Sequence, residues 1–148
     1  MKPLTLAFLL LVCSVRADAC VVFRGFNIHY LENAQMVFKG EVIDYEPPPG
    51  AGGIHQKAYI TFKVLETLWG PAQETWRLSW RNSTFGLPRD WAREPKVVLV
   101  AATTTFTEID KTEPRVLQEP CNMPFMHKDS EEYRRDLQRE LERLRTRR

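Results

Sequence analysis

Apolar and polar residues alternate in three segments of the chain, and each alternation predicts a β-strand. The first begins near Gln35 and sets Met36, Phe38, Gly40 and Val42 against Lys39, Glu41 and Ile43. The second sets Ala58, Ile60, Phe62 and Val64 against Tyr59, Thr61 and Lys63, and it ends at Gly70 and Pro71. The third sets Trp76, Leu78 and Trp80 against Thr75, Arg77, Ser79 and Arg81. Each strand is therefore expected to bury one face.

Two further strands are predicted later in the chain. Residues 96–105 carry four consecutive apolar residues at positions 97–100 without alternation, which suits a strand that is covered on both faces. A shorter strand at residues 115–118 leads to Pro120 and Cys121. Between the first two strands lie Pro47, Pro48, Pro49, Gly50, Gly52 and Gly53. Proline cannot continue a strand ladder and glycine favours turns, so residues 47–56 are predicted to form a loop.

The C-terminal segment predicts one amphipathic helix at about residues 130–145. Its apolar stripe at helical spacing consists of Tyr133, Leu137, Leu141 and Leu144. Asp129 and Glu132 have the spacing of a capping box, and arginines follow the acidic residues as the helix dipole favours. A stripe this narrow indicates a helix that packs on a domain with a solvated charged face, in preference to a partner-binding helix. One or two helical turns are also predicted within residues 26–33.

Five strands with one packing helix predict a mainly β fold, a five-stranded OB-fold-like barrel with a C-terminal helix. Barrels of this kind serve several functions, so function has to be argued from a site.

The N-terminus predicts a secretory signal peptide. An apolar run over residues 4–12 is followed by small residues that reach Ala17 and Ala19. Charged residues interrupt the run before it reaches the length of about 20 residues that a membrane-spanning helix needs. We therefore expect cleavage after Ala19, or alternatively after Ala17, to release one secreted or periplasmic domain that covers residues 20–148.

Of the three cysteines, Cys13 lies in the predicted signal, which leaves Cys20 and Cys121. In an oxidising compartment these two predict one disulfide, with two free thiols as the alternative. The bridge would close a loop of about 100 residues, and the chain-entropy model credits such a loop with about 4 to 5 kcal/mol. The net charge of +2 falls to +1 without the signal, because Lys2, Arg16 and Asp18 leave with it. This balance indicates no overall attraction to nucleic acid or membranes.

The sequence predicts neither catalysis nor a bound cofactor or metal. His29, His55 and His127 lack the spacing of a zinc site and are interpreted as surface or loop histidines. The glycines at positions 50–53 lack the lysine and the following helix of a phosphate-binding loop. The serines lack a nucleophile-elbow context, and no motif pairs the acidic residues at the strand ends. We therefore expect a non-enzymatic domain.

Trp76 and Trp80, with Arg77 and Arg81 beside them, offer one alternative, a stacking platform for sugars or single-stranded nucleic acid. Tryptophans on the inner face of a strand more often belong to the core, and an exported protein rarely meets nucleic acid. The core interpretation is therefore preferred, and no nucleic-acid partner is predicted.

A family resemblance adds to these inferences. It rests on Cys20 directly after the signal, NAQMVFKGEV at residues 33–42, ITFKVLETLWG at residues 60–70, and Cys121 ahead of a final helix. In this order the segments resemble the netrin-like domains related to tissue inhibitors of metalloproteinases, over most of the mature chain. The resemblance implies an OB-fold barrel.

In those inhibitors, a mature chain that starts with cysteine places its free amino group and first carbonyl on the catalytic zinc of a metalloprotease. The resemblance therefore implies that cleavage after Ala19 makes Cys20 the zinc-directed residue. It also implies that the loop of residues 47–56 contacts the target enzyme.

The chain departs from the inhibitors in its cysteines. The inhibitors begin Cys-x-Cys, whereas this chain offers Cys20 and Cys121 alone. After cleavage at Ala17, Cys20 would match the second cysteine of that pair and the zinc-directed one would be missing. We therefore expect an exported binding domain for an extracytoplasmic protease or another envelope protein. The alternatives are a structural or ligand-binding role in the cell envelope and, in a bacterium, a lipid anchor on Cys20.

Overall fold

The strands and helices were assigned in a computed structural model, which describes residues 25–49, 57–81, 96–104, 113–119 and 122–147. Its elements are a 3-10 helix (Ile28–Asn33), β1 (Met36–Glu46), β2 (Lys57–Trp69), β3 (Thr75–Arg81), β4 (Val97–Thr103), β5 (Arg115–Val116), β6 (Met126–Lys128) and α1 (Glu131–Thr146). The five predicted strands and the predicted helix are all present. The predicted signal peptide lies outside the described residues.

The first five strands close into a barrel in the order β1-β2-β3-β5-β4, and β4 pairs back to β1. The β3–β5 pairing is parallel, and the other pairings are antiparallel. The fold is thus mainly β, an OB-fold-like barrel with a C-terminal packing helix, and the predicted fold class is confirmed. The sequence did not predict β6, a short strand that adds to β4 outside the closed ring.

The barrel interior holds the apolar residues that alternate along the strands. They are Met36, Phe38, Ile60, Phe62, Leu78, Trp80, Val98, Val100, Ala102 and Val116. Trp76 packs against this cluster, and Trp80 is only 7% exposed. Burial of this many large side chains supplies the main driving force for folding of the barrel.

A second apolar core lies outside the barrel, beneath α1 and the 3-10 helix. Its strand residues, Val37, Leu99 and Ala101, point away from the barrel interior, and Leu137 and Leu141 of α1 cover them. Because β4 thus faces one core on each side, the prediction of a strand covered on both faces is confirmed. The predicted packing helix is confirmed by the same contacts.

The start of α1 differs from the prediction in one respect. Its N-cap is Ser130, whose hydroxyl accepts a hydrogen bond from the backbone N–H of Tyr133. The predicted capping box placed Asp129 in that role. Asp129 instead binds Arg134 and Lys39 through its carboxylate, so a tertiary ion-pair network occupies the residue that the spacing favoured.

The β1–β2 ribbon is irregular at three places. The register shifts leave Ile43 in β1, and Leu65 and Leu68 in β2, without a directly paired residue on the other strand. A bulge of this kind places the extra residue on the same side of the sheet as its neighbour and increases the local twist. The extra residue of each bulge lies on the outer side of the ribbon. Ile43 and Leu65 are exposed there, whereas Leu68 packs against the second core.

Candidate partner-binding surface

The predicted site residues fall into two groups. Pro47, Pro48 and Pro49 directly follow β1, at the end of the barrel where β1 connects to β2. Gly50, Gly52 and Gly53, together with Cys20 and Cys121, lie outside the described residues. The structure therefore locates both roots of the predicted partner loop, the end of β1 at Glu46 and the start of β2 at Lys57.

One root of this loop is held by a stacked ion pair. Arg77 of β3 reaches across β2 and donates two hydrogen bonds to Glu46, from Nε to Oε1 and from Nη2 to Oε2, each 3.0 Å long. The guanidinium carbon lies 3.7 Å from the centroid of the Tyr59 ring, which sits on the strand between them. Bidentate geometry and a cation–π contact both favour one fixed arrangement of Arg77.

The other root, Lys57, contacts the same ring. The Lys57 ammonium lies 5.0 Å from the Tyr59 ring centroid and donates a hydrogen bond to Glu113. Partial burial opposes the charge of Lys57, but the hydrogen bonds with Glu113 and Tyr59 outweigh it and raise the pKa of this lysine. Lys57 therefore stays charged at neutral pH, and Glu113 holds the first residue of β2 in place.

We call these five residues the hairpin clamp: Glu46, Lys57, Tyr59, Arg77 and Glu113. Alternation predicts that Tyr59 and Arg77 lie on outer strand faces, but it does not predict their contact, because that contact depends on the register of three strands. The register pairs Glu46 with Tyr59 and Thr61 with Arg77. A pairing scheme that counted inward from both hairpin loops would have found the cluster.

A second surface feature is a groove of about 580 Å³ between the 3-10 helix and α1. It is lined by Phe26, Asn27, Ile28, His29, Glu132, Tyr133 and Asp136. Its helix side rests on His127, whose ring stacks on Tyr133 with centroids 4.4 Å apart. The walls thus combine aromatic and apolar side chains with carboxylates.

His127 corrects the interpretation that each histidine lies in a loop or on the surface. It belongs to β6, and its ring also meets Phe125 edge-on at 5.0 Å. Its Nε2 atom is buried and has no hydrogen-bond partner in the described part of the chain. Burial lowers the pKa of His127, because the charged imidazolium would lose hydration without gaining a partner.

Phe26 and Phe125, which follow the two cysteines in the sequence, lie side by side. The rings of Phe26 and Phe125 are in contact, with centroids 4.4 Å apart and nearly edge-to-face. On the Cys121 side, the N–H of Asn122 donates to the carbonyl oxygen of Glu119 over 3.1 Å.

The structure also bears on three other features considered in the sequence: the two tryptophans of β3, a metal site and a membrane span. Trp76 and Trp80 pack in or against the barrel core, as preferred, and do not present their rings on the outer face. Within the described ranges, no three or more His, Cys, Asp or Glu side chains come together as a metal site would require. No helix in this part of the protein is long and apolar enough to cross a membrane.

Comparison with protein-family models, with curated proteins and with solved structures found no match for this chain. The resemblance to netrin-like domains therefore stays a prediction that rests on the segments quoted above. The barrel topology is the one that the resemblance implies.

Proposed function

We propose that this chain is an exported, non-enzymatic domain that binds another protein with the end of the barrel where β1 meets β2. The hairpin clamp carries this proposal. Glu46 and Lys57 are the two roots of residues 47–56. Arg77, stacked on Tyr59, fixes Glu46, and Glu113 fixes Lys57. A loop with fixed ends loses less conformational freedom on binding, so more of the contact energy appears as affinity.

A Cys20–Cys121 disulfide fits this picture. Cys20 precedes Phe26 by six residues and Cys121 precedes Phe125 by four. Extended chain spans about 3.3 to 3.6 Å per residue, so each cysteine has ample reach from the contact between the two phenylalanines. The bridge requires Cα atoms about 4.4 to 6.8 Å apart, which segments that start side by side can reach.

The sharper form of the proposal is inhibition of a zinc protease through Cys20, with the loop as a second contact. It requires cleavage after Ala19, since the amino group of Cys20 must be free to reach the metal. Amine and carbonyl groups on zinc would displace the water that the protease activates for attack on its substrate.

Zinc proteases assayed with chains of verified N-terminus test this form. We expect a chain that starts at Cys20 to inhibit at least one member of a panel, and a chain that starts at Asp18 to be at least 100-fold weaker. A chain that starts at Cys20 but has its amino group acetylated controls for the rest of the surface. No inhibition by the Cys20 chain, or equal inhibition by all three, would remove the inhibitor form.

Site-specific photo-cross-linking tests the wider proposal separately. A photoreactive amino acid replaces Pro48 in the loop or, as the control, Glu142 on the exposed face of α1. In the cells that produce the protein, we expect a discrete protein adduct from position 48 alone, and less of it when Arg77→Met opens the clamp. Equal labelling from both positions, or no adduct, would count against a partner at this end.

The groove between the 3-10 helix and α1 favours a second candidate, the ligand-binding role in the cell envelope. Its volume of about 580 Å³ suits a small ligand, and Phe26, Ile28 and Tyr133 offer it apolar contact. Substitution Tyr133→Ala distinguishes the two functions. Loss of a bound envelope metabolite with the loop adduct intact would favour the groove.

A further inference from the structure

The outer face of the β1–β2 ribbon presents two large aliphatic side chains to solvent. Ile43 is 54% exposed and Leu65 is 46% exposed. Both are extra residues at register shifts, between Val42 and Asp44 in one strand and beside the Lys39–Gly40 step in the other. Alternation along each strand places both side chains on the outer face, and at both positions a bulge interrupts the regular pairing of β1 with β2.

A matched pair of opposite charges lies between them. The register sets Glu41 directly opposite Lys63 on this face, two residues from Ile43 and two from Leu65. Within the described part of the chain neither side chain forms an ion pair. By contrast, Lys39 and Glu66 at the Leu65 end are held by Asp129 and Arg134, over 2.7 Å and 3.0 Å. The central pair is therefore available to a partner.

We propose that this face binds a second copy of the chain, about a two-fold axis that runs along the ribbon from Ile43 to Leu65. Strand spacing puts these two residues about 11 Å apart along the sheet. Residues on the axis meet their own counterparts, so Ile43 packs on Ile43 and Leu65 on Leu65. Residues beside the axis exchange sides, so Glu41 of each copy faces Lys63 of the other.

This arrangement is self-complementary. A two-fold interface uses the same patch on both copies, so it is stable only if each charge of the patch meets an opposite one. Across the axis, β1 of one copy lies over β2 of the other. Glu41 of each copy therefore pairs with Lys63 of the other, which gives two intermolecular ion pairs. Two aliphatic contacts on the axis supply the apolar part.

The axis also sets the direction of the two hairpins. Because it runs along the strands, both copies point the Glu46 end of β1 the same way. A dimer then presents two copies of residues 47–56 at one end, and two linked contacts raise the overall affinity for a partner with two sites. This consequence rests on the proposed function, whereas the dimer itself does not.

Charge exchange tests the dimer directly by sedimentation velocity. Glu41→Lys sets lysine against lysine in both intermolecular pairs, and Lys63→Glu sets acid against acid. We expect each variant alone to dimerise at least 10-fold more weakly than the unchanged chain. An equimolar mixture should recover the dimer, because each of its two intermolecular pairs joins a lysine of the Glu41→Lys chain to a glutamate of the Lys63→Glu chain.

Two further variants separate the interface from folding. Leu65→Ser should weaken the dimer, whereas Met123→Ser, at another exposed apolar residue, should leave it unchanged. Circular dichroism verifies that each variant is folded, which matters because like charges directly opposite on a sheet also destabilise it. An unchanged chain that stays monomeric at 500 μM, or a mixture that dimerises no better than its components, would overturn the proposal.

Discussion

Asp129 shows how single charged residues join separate parts of this molecule. Its carboxylate accepts two hydrogen bonds from Arg134, 3.0 Å and 2.9 Å long, and lies 2.7 Å from the Lys39 ammonium of β1. Hydrogen bonds from Arg134 and then from Lys39 lower the pKa of the Asp129 carboxyl to about 2. The start of α1 is thereby tied to the barrel.

Substitution Asp129→Asn should therefore destabilise the protein at neutral pH. The carboxyl pKa in the folded state lies below its ordinary value of 3.8, so the stabilisation is present above that value and is lost as the pH falls towards 2. We expect a loss of about 1 to 2 kcal/mol in the free energy of unfolding at pH 7, shrinking between pH 4 and pH 2. Urea denaturation at a series of pH values measures it.

Asp136→Asn is the matched control for this change. Asp136 also pairs with an arginine, Arg139, but the two side chains are 47% and 77% exposed. An exposed pair of this type contributes little, so we expect a change of less than about 0.5 kcal/mol. Equal effects of the two substitutions would mean that the Asp129 network adds nothing beyond an ordinary surface charge pair.

The sequence predicted the role of a residue where neighbouring positions decide it, and failed where a partner far along the chain decides it. Inward positions such as Phe38 and Ile60 were predicted because alternation alone decides which face is buried. The role of Asp129 was wrong, because both it and Ser130 are good cap residues and only the distant Lys39 decides between them. The hairpin clamp was missed for the same reason.

At the scale of elements, strand ends were predicted best where glycine or proline ends a pattern. Gly70 and Pro71 marked the end of β2, which the structure places at Trp69. The helix was predicted to within a residue or so at each end, because its apolar stripe continues to Leu144. The three-residue β6 was missed, since Met126–Lys128 is too short to show alternation and exists through its pairing with β4.

Gly70 is the element-scale position most sensitive to substitution. Its φ is +84°, a conformation that side chains disfavour, and a Cβ there would overlap the carbonyl oxygen of Gln35. For Gly70→Ala we expect a loss of about 1 to 3 kcal/mol from the backbone conformation, with the overlap adding to it. Thermal unfolding followed by circular dichroism measures the change.

The control for this prediction is Gly25→Ala. A Cβ at Gly25 would have no atom within 4 Å, so we expect that variant to keep the melting temperature of the unchanged protein or to exceed it slightly. If both alanine variants unfolded at the same temperature, the turn after β2 would not need a glycine.

At the scale of the whole molecule, two cores share the same strands. Met36 and Phe38 of β1 face the barrel interior, whereas Val37 between them faces the core beneath α1. β4 divides its residues in the same way. Because β1 and β4 each contribute side chains to both cores, loss of one core also destabilises the strands that form the other. The described part of the protein should therefore unfold as one unit.

Leu137→Ala tests this coupling. Leu137 is 1% exposed in the core beneath α1, and removing such a side chain costs about 2 to 5 kcal/mol. Far-UV circular dichroism follows the helix content, and tryptophan fluorescence follows the barrel residues Trp76 and Trp80 among others. We expect the two signals to give one denaturation midpoint. That midpoint should move equally for both signals in the variant.

Leu78→Ala in the barrel core is the reciprocal variant, because Leu78 is fully buried and has no part in the core beneath α1. If the two cores are strongly coupled, Leu78→Ala lowers the denaturation midpoints of the helix signal and the fluorescence signal by the same amount, as Leu137→Ala does. Independent cores would behave differently. The helix signal would then be lost first in Leu137→Ala while the fluorescence from Trp76 and Trp80, measured in a Trp69→Phe background because Trp69 packs on the core beneath α1, kept its original midpoint. In that case α1 would be a detachable cover on a self-sufficient barrel.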